Sequence, residues 1–312
     1  MPFTTLHAAR CDDQPVLGPL VDATTRLWVR ATGRTVDLDH DRWLRGPVGD
    51  VAHVGDDWLD AEADRLGAQV AAPAVGHGAS VRGLLATMAD LDGPGFVAAT
   101  LAPPVRRFYE RTSAWRLDAW VGWAPWAWPF GWAVSALFAR RLDQLALPLR
   151  SLDLAHGMSS TVTPLDRDGQ QVGALWLRRL RRTGRIVFSG LYGVVAVPGA
   201  EAPVVRVAFP LPRGRLVVLL RPRAGADGSL VLTSGAGRWG DPGAYLVVDH
   251  PGVRRVRARR IPVHEEFRVF VDPEGVLRTD HRLDLGPLPV LRLHYRLTEA
   301  VEAASGSRDR DV

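Results

Sequence analysis

Residues 261–285 read Ile261-Pro262-Val263-His264-Glu265-Glu266-Phe267-Arg268-Val269-Phe270-Val271, then Asp272-Pro273-Glu274-Gly275, then Val276-Leu277-Arg278-Thr279-Asp280-His281-Arg282-Leu283-Asp284-Leu285. Successive strand side chains point to opposite faces. In the first run Ile261, Val263, Glu265, Phe267, Val269 and Val271 therefore share one face, and His264, Glu266 and Arg268 share the other. The Asp-Pro-Glu-Gly tetrapeptide is turn chemistry, and alternating runs on either side of it predict an antiparallel hairpin.

The same grammar continues upstream. Asp168-Gly169 separates Thr161–Leu165 from Val172–Leu180, and Thr183-Gly184 leads into Ile186–Val197. Arg213-Gly214 divides Val204–Leu211 from Leu216–Leu220, Asp227-Gly228 precedes Leu230–Thr233, and Asp241-Pro242-Gly243 precedes Tyr245–Val248. Gly286-Pro287 precedes the last run, Val290–Leu297. About ten strands with no helical pattern between them predict an antiparallel meander. Closure into a barrel or a strongly curved sheet would reduce its exposed edges.

Before His156 the period is helical. Asp56 to Asp64 places acids at a helix N-terminus with Gly67 as C-cap, and Ser80 can cap a helix running through Leu91. Pro103-Pro104 opens a longer helix, with Val105, Phe108, Tyr109, Thr112, Trp115 and Ala119 on one face. The expected class is α+β: a helical or irregular region over 1–102, a Trp-rich helical hairpin over 103–150, an antiparallel β domain over 151–298, and a disordered polar tail over 299–312.

Composition works by subtraction. The chain has 312 residues, 46% of them hydrophobic and 23% charged, which suits a globular protein of one large or two ordinary domains. Its 39 basic residues are all arginine, so neither a Schiff-base lysine nor a P-loop lysine exists. The single cysteine, Cys11, precludes an intramolecular disulfide and a Cys-based zinc finger, and predicts a reducing, cytoplasmic compartment. The N-terminus lacks the basic and apolar regions of a signal peptide. Residues 151–312 carry 24 Arg against 17 acids, a mild hint of an anionic partner, while residues 1–150 are slightly acidic.

Three stretches carry a resemblance. Pro104-Val105-Arg106-Arg107-Phe108-Tyr109-Glu110, with Val271-Asp272-Pro273-Glu274-Gly275-Val276-Leu277-Arg278 and the closing Leu293-His294-Tyr295-Arg296-Leu297, resembles uncharacterised actinobacterial proteins. Their β-rich domain of unknown function is sometimes fused to saccharopine-dehydrogenase-like enzymes. The resemblance implies a β-rich fold and supplies no activity, cofactor or catalytic residue.

Six of the 11 tryptophans, Trp115, Trp120, Trp123, Trp126, Trp128 and Trp132, crowd one segment, and Ala119 to Ala139 holds no charge. Gly122, Pro125, Pro129 and Gly131 break that stretch into pieces too short to span a bilayer. Three readings stay open: aromatics buried against the sheet, a patch dipping into a membrane interface, or an aromatic lid over an apolar pocket. Nucleic acid is not expected, since no RNP, KH or C2H2 pattern occurs.

Among polar residues Glu265 stands out, because its strand face is otherwise apolar. A buried carboxylate must be paired or hold a raised pKa, which suits general acid–base chemistry as readily as a structural ion pair. His264 and His294 are its candidate partners. His264-x-Glu266 with His281 or His294 is too loose a pattern to predict a metal site. If the polar face were interior, His264, Glu266, His281, Arg292, His294 and Arg296 would line it. His156-Gly157-Met158-Ser159-Ser160 lacks a nucleophile elbow, and Gly235 to Gly240 lacks the helix of a nucleotide site.

The favoured function is binding of a hydrophobic or amphipathic anionic small molecule or lipid by Trp120, Trp123, Trp126, Trp128, Trp132, Arg292 and Arg296. One rival is a cofactor-free cyclase or isomerase using Glu265 with His264 or His294 as acid and base. The other is a peripheral membrane protein anchored by the Trp-rich hairpin, which would make the cytoplasmic chain membrane-associated.

Overall fold

The computed structural model describes residues 17–49, 56–75, 81–127, 157–184, 186–249 and 255–299. In chain order these form α1 (Leu17–Thr32), β1 (Arg34–Asp37), α2 (Leu59–Leu66), β2 (Gln69–Val70), α3 (Pro103–Glu110) and β3 (Trp115–Trp123). Then come β4 (Met158–Arg167), β5 (Gln170–Leu180), β6 (Ile186–Val195), β7 (Val204–Leu211), β8 (Gly214–Ala224) and β9 (Leu230–Thr233). The last five are β10 (Ala244–Val248), β11 (Arg255–Ile261), β12 (Val263–Val271), β13 (Leu277–Leu285) and β14 (Leu288–Glu299). Short 3-10 turns join α2 and α3.

Every strand expected from alternation forms, and its turn chemistry explains the register. Asp168 and Gly169 both adopt positive φ, 52° and 76°, the backbone that a tight two-residue hairpin between β4 and β5 requires. Four strands escape the pattern: β1, β2, β3 and β11. β11, Arg-Val-Arg-Ala-Arg-Arg-Ile, is hidden because four of its seven residues are arginine, which blurs the apolar alternation.

The strands make one 14-stranded sheet in the order β2-β4-β5-β6-β7-β8-β9-β12-β13-β14-β3, antiparallel at every pairing of named strands. β8 is a fork. Its first half, Gly214–Val218, pairs with β10, while Arg221–Ala224 pairs with β9. One arm continues through β11 to β1, and the other curls through β12, β13 and β14 to β3. β3 comes back beside β4, but no ladder joins them among the described residues, so the sheet is curved and does not close into a barrel. Part of the β4 edge that would receive β3 is instead taken by β2, at Leu165 and Asp166, and by Ala74, at Val162.

The expected helical hairpin is corrected too. α3 ends at Glu110, and Trp115–Trp123 is a strand paired with β14 from Trp115↔Glu299 to Trp123↔Leu291. The three- and four-residue spacing that suggested a helix is overridden because Leu117, Ala119 and Val121 also fit a period of two, and the edge of β14 offers hydrogen bonds. Residues 128–150 of that hairpin and 300–312 of the tail lie outside the described residues.

Apolar cores lie on both faces of the sheet. The concave core gathers Leu84, Met88, Val105, Phe108, Trp115, Leu117, Trp176 and Leu293 under α3 and the 81–101 segment. The second core sits on the opposite face of β5–β8, where Trp43, Leu44, Trp58 and Ala63 cover Leu175, Leu191, Ala208 and Leu219. Burial on both faces explains why β7 and β8 read as nearly continuous apolar runs. Arg215, only 1% exposed, enters this second core and donates from Nη2 to both oxygens of Asp249, at 2.5 Å each.

Candidate functional site

The concave face leaves a cavity of about 140 Å³ between the curled strands and α3. Its walls follow from strand parity. β5 contributes Trp176 and Arg178, β6 Phe188 and Tyr192, and β7 Phe209. β12 contributes Glu265 and Phe267, β13 Thr279 and His281, β14 Tyr295, and α3 Tyr109. The aromatic rings meet edge to face: Trp176 lies 5.4 Å from Phe188 and 5.6 Å from Tyr192, and Phe188 lies 5.3 Å from Phe209. Such geometry aligns ring edges with ring faces and makes a rigid wall.

Arg178 is the permanent charge in this wall. Its guanidinium carbon lies 3.5 Å from the Trp176 ring centroid, 5.0 Å from Phe188 and 5.3 Å from Tyr295. The residue is 9% exposed, and its Nε has no hydrogen-bond partner among the described residues. No carboxylate among them pairs with it. Cation–π contacts recover about 2 kcal/mol at a desolvated site, against a cost of several kcal/mol for taking an ion out of water.

Glu265 and His281 stand on neighbouring strands, Glu265 opposite Leu283 and His281 opposite Phe267. The backbone of Glu265 is pinned: its N–H donates to Ser234 Oγ at 2.7 Å and its carbonyl accepts from Ser234 N–H at 2.9 Å. Burial pushes the Glu265 carboxyl up to about 7. His281 stacks on Phe267 with centroids 3.8 Å apart, and its Nε2, unpartnered, lies 3.9 Å from Glu265 Oε2. Burial, and secondarily the Arg178 charge, depress His281 to about 3. The two are thus no ion pair: the imidazole is neutral, and below about pH 7 the proton the pair holds sits on Glu265. Burial also raises Tyr109 and Tyr192 above the usual phenol range, so both stay neutral.

The structure separates the residues that the sequence grouped. His264, Glu266, Arg292, His294 and Arg296 lie on the face of the sheet opposite Glu265. His294 Nδ1 donates to Asp280 Oδ1 at 2.7 Å and the ring sits 5.9 Å from the Trp120 ring, and His264 Nδ1 donates to the Gly235 carbonyl at 3.1 Å. Glu265 therefore faces neither of these histidines. Of the tryptophans, Trp115 is buried, Trp123 packs partly on the concave core, and Trp120 and Trp126 are 47% and 45% exposed. Trp120, Trp123 and Trp126 do not line the cavity. Trp128 and Trp132 lie outside the described residues. Among the described residues no cluster of three His, Cys, Asp or Glu side chains could hold a metal. Ser160 accepts a hydrogen bond from Trp176 Nε1 at 2.8 Å, which ties it to the wall.

Sequence reasoning missed Arg178 and the placement of His281. Both were legible by parity: Ala174, Trp176, Arg178 and Leu180 alternate on β5, and Leu277, Thr279, His281, Leu283 and Leu285 alternate on β13.

No family model and no solved structure matches the chain. It is similar to the uncharacterized membrane protein YndJ of Bacillus subtilis (strain 168), 27% identical over 229 residues. The match covers 71% of this chain and 39% of that protein, so the chain spans about two fifths of its relative's length. No helix among the described residues is long and apolar enough to cross a membrane.

Proposed function

We propose that the concave cavity binds a small amphipathic anion, its apolar body against Trp176, Phe188, Phe209 and Phe267 and its anionic group on Arg178. The observation that carries this reading is a buried guanidinium with no carboxylate partner among the described residues. Up to about pH 7 Glu265 keeps its proton and offers no counter-charge. An incoming carboxylate would restore charge balance in a low-dielectric site, where such a contact is strong. Each CH2 buried beside it adds about 0.8 kcal/mol.

Cinnamate, a planar aromatic carboxylate, is the test ligand. Calorimetric titration is expected to show saturable binding to the wild-type protein and at least a tenfold loss in Arg178→Met. Equal binding by both proteins would exclude Arg178 as the anchor. Native mass spectrometry of the purified protein would show whether a natural ligand of this class accompanies it.

A second reading, peripheral membrane contact, draws on the exposed indoles of Trp120 and Trp126 and on the relative's being named a membrane protein. Indoles with nearby arginines suit the headgroup level. Flotation with vesicles containing an anionic lipid tests it: recovery of the protein only in the soluble fraction removes this reading.

A further inference from the structure

We propose that the same cavity moves a proton at carbon on an enolisable carbonyl compound, with Glu265 as the base and Arg178 opposing the developing enolate oxygen. The proposal rests on the binding reading above and names a substrate class for it. Three observations converge. A carboxylate lines an apolar cavity, and its oxygens accept no hydrogen bond among the described residues. A permanent cation without a carboxylate partner lines the same space. The histidine 3.9 Å from the carboxylate is neutral, so no ion pair there quenches Glu265 as a base.

The step balances without an oxidant or a reductant. A Glu265 oxygen takes the proton from the carbon next to the carbonyl, and the C–H electron pair becomes a C=C bond. The carbonyl π pair moves onto oxygen, which carries the negative charge against the Arg178 guanidinium. Glu265 then returns the proton, to the same carbon or, in a conjugated compound, two carbons further along. Since the chain contains no lysine, it has no side chain able to activate the carbonyl as a Schiff base.

The titratable and charged groups facing Glu265 are Arg178 from β5, Tyr192 from β6, Tyr109 from α3, His281 from β13 and Tyr295 from β14. Of these His281 titrates near 3, and Tyr109 and Tyr192 are held above the usual phenol range. Glu265 is the cavity group that changes charge near neutrality.

Phenylacetone in deuterium oxide tests the proposal, because its benzylic CH2 exchanges under base catalysis and its loss is read directly by proton NMR. The wild-type protein is expected to accelerate exchange about 10²-fold over buffer, a usual gain from a positioned base, with a rate that rises through about pH 7 as Glu265 ionises. The isosteric Glu265→Gln variant is expected to fall to the buffer rate while still giving saturation transfer to phenylacetone, which shows that fold and binding persist. The pH profile of the wild-type protein is a readout independent of any variant. Saturation transfer without acceleration in the wild-type protein overturns proton transfer and leaves the binding reading intact. Undiminished exchange by Glu265→Gln also overturns it. An absence of saturation transfer from the wild-type protein to phenylacetone overturns proton transfer as well, and the binding reading is then decided separately by the cinnamate titration.

Discussion

Glu265 Oε2 and His281 Nε2 lie 3.9 Å apart inside the curved sheet, with their protonation states reversed from those of an ordinary surface pair. Burial favours the neutral form of each, so the carboxyl keeps its proton and the imidazole stays without one.

This reversal has a measurable sign. In the unfolded chain the glutamate titrates near 4.5 and the histidine near 6.5; in the folded chain they titrate near 7 and 3. Between about pH 4.5 and 6.5 each state therefore holds one proton on the pair, the folded state on Glu265 and the unfolded state on His281, and the pair adds no slope. Glu265→Gln removes the folded-state proton. Relative to wild type its stability should rise with pH toward 6.5 by up to about 1.4 kcal/mol per unit. His281→Asn should do the reverse, falling as pH rises from about 4.5 to 7. Urea melts at pH 4.5, 5.5 and 6.5 check both; parallel profiles for the three proteins would show that the pair is not buried as described.

Arg178→Met should leave stability unchanged or raise it by about 1 kcal/mol, because the lost cation–π contact is offset by relief of an unpaired buried charge. Chemical denaturation measures this alongside the cinnamate titration. A loss above about 2 kcal/mol would mean that Arg178 has a structural partner.

Asp249→Ala should cost about 3 kcal/mol, since it leaves Arg215, 1% exposed, as an uncompensated cation in the second core. Replacing both partners, Arg215→Met with Asp249→Leu, should recover most of that loss. A double variant as unstable as the single one would argue that the pair itself, not the stranded charge, sets the cost.

Within β3 the two faces should respond differently. Leu117→Ala, on the concave core, should cost about 3 kcal/mol, while Trp120→Ala, 47% exposed on the other face, should cost less than about 1 kcal/mol. Equal large costs at both positions would contradict a strand there.

The divided roles of these residues show how far the amino-acid order reaches. Alternation and turn chemistry over 158–299 decide the strands, their antiparallel sense and the pairing of near neighbours, because a hairpin is written in its own dozen or so residues. The same parity assigns Glu265 to an apolar face. For residues 115–123 local pattern was the weaker guide: their spacing fits a helix, and what makes them a strand is the open edge of β14, more than 160 residues away. The fork at β8, where β10 and β9 share one edge, and the lack of closure, where residues 69–74 lie along β4, are likewise set by segments distant in sequence. Strand parity sorts residues into two sets but does not say which set turns inward. Packing decided that, by burying the set with the larger apolar area under α3, and with that choice it enclosed Glu265, His281 and Arg178 together and left His264, His294, Arg292 and Arg296 on the other face.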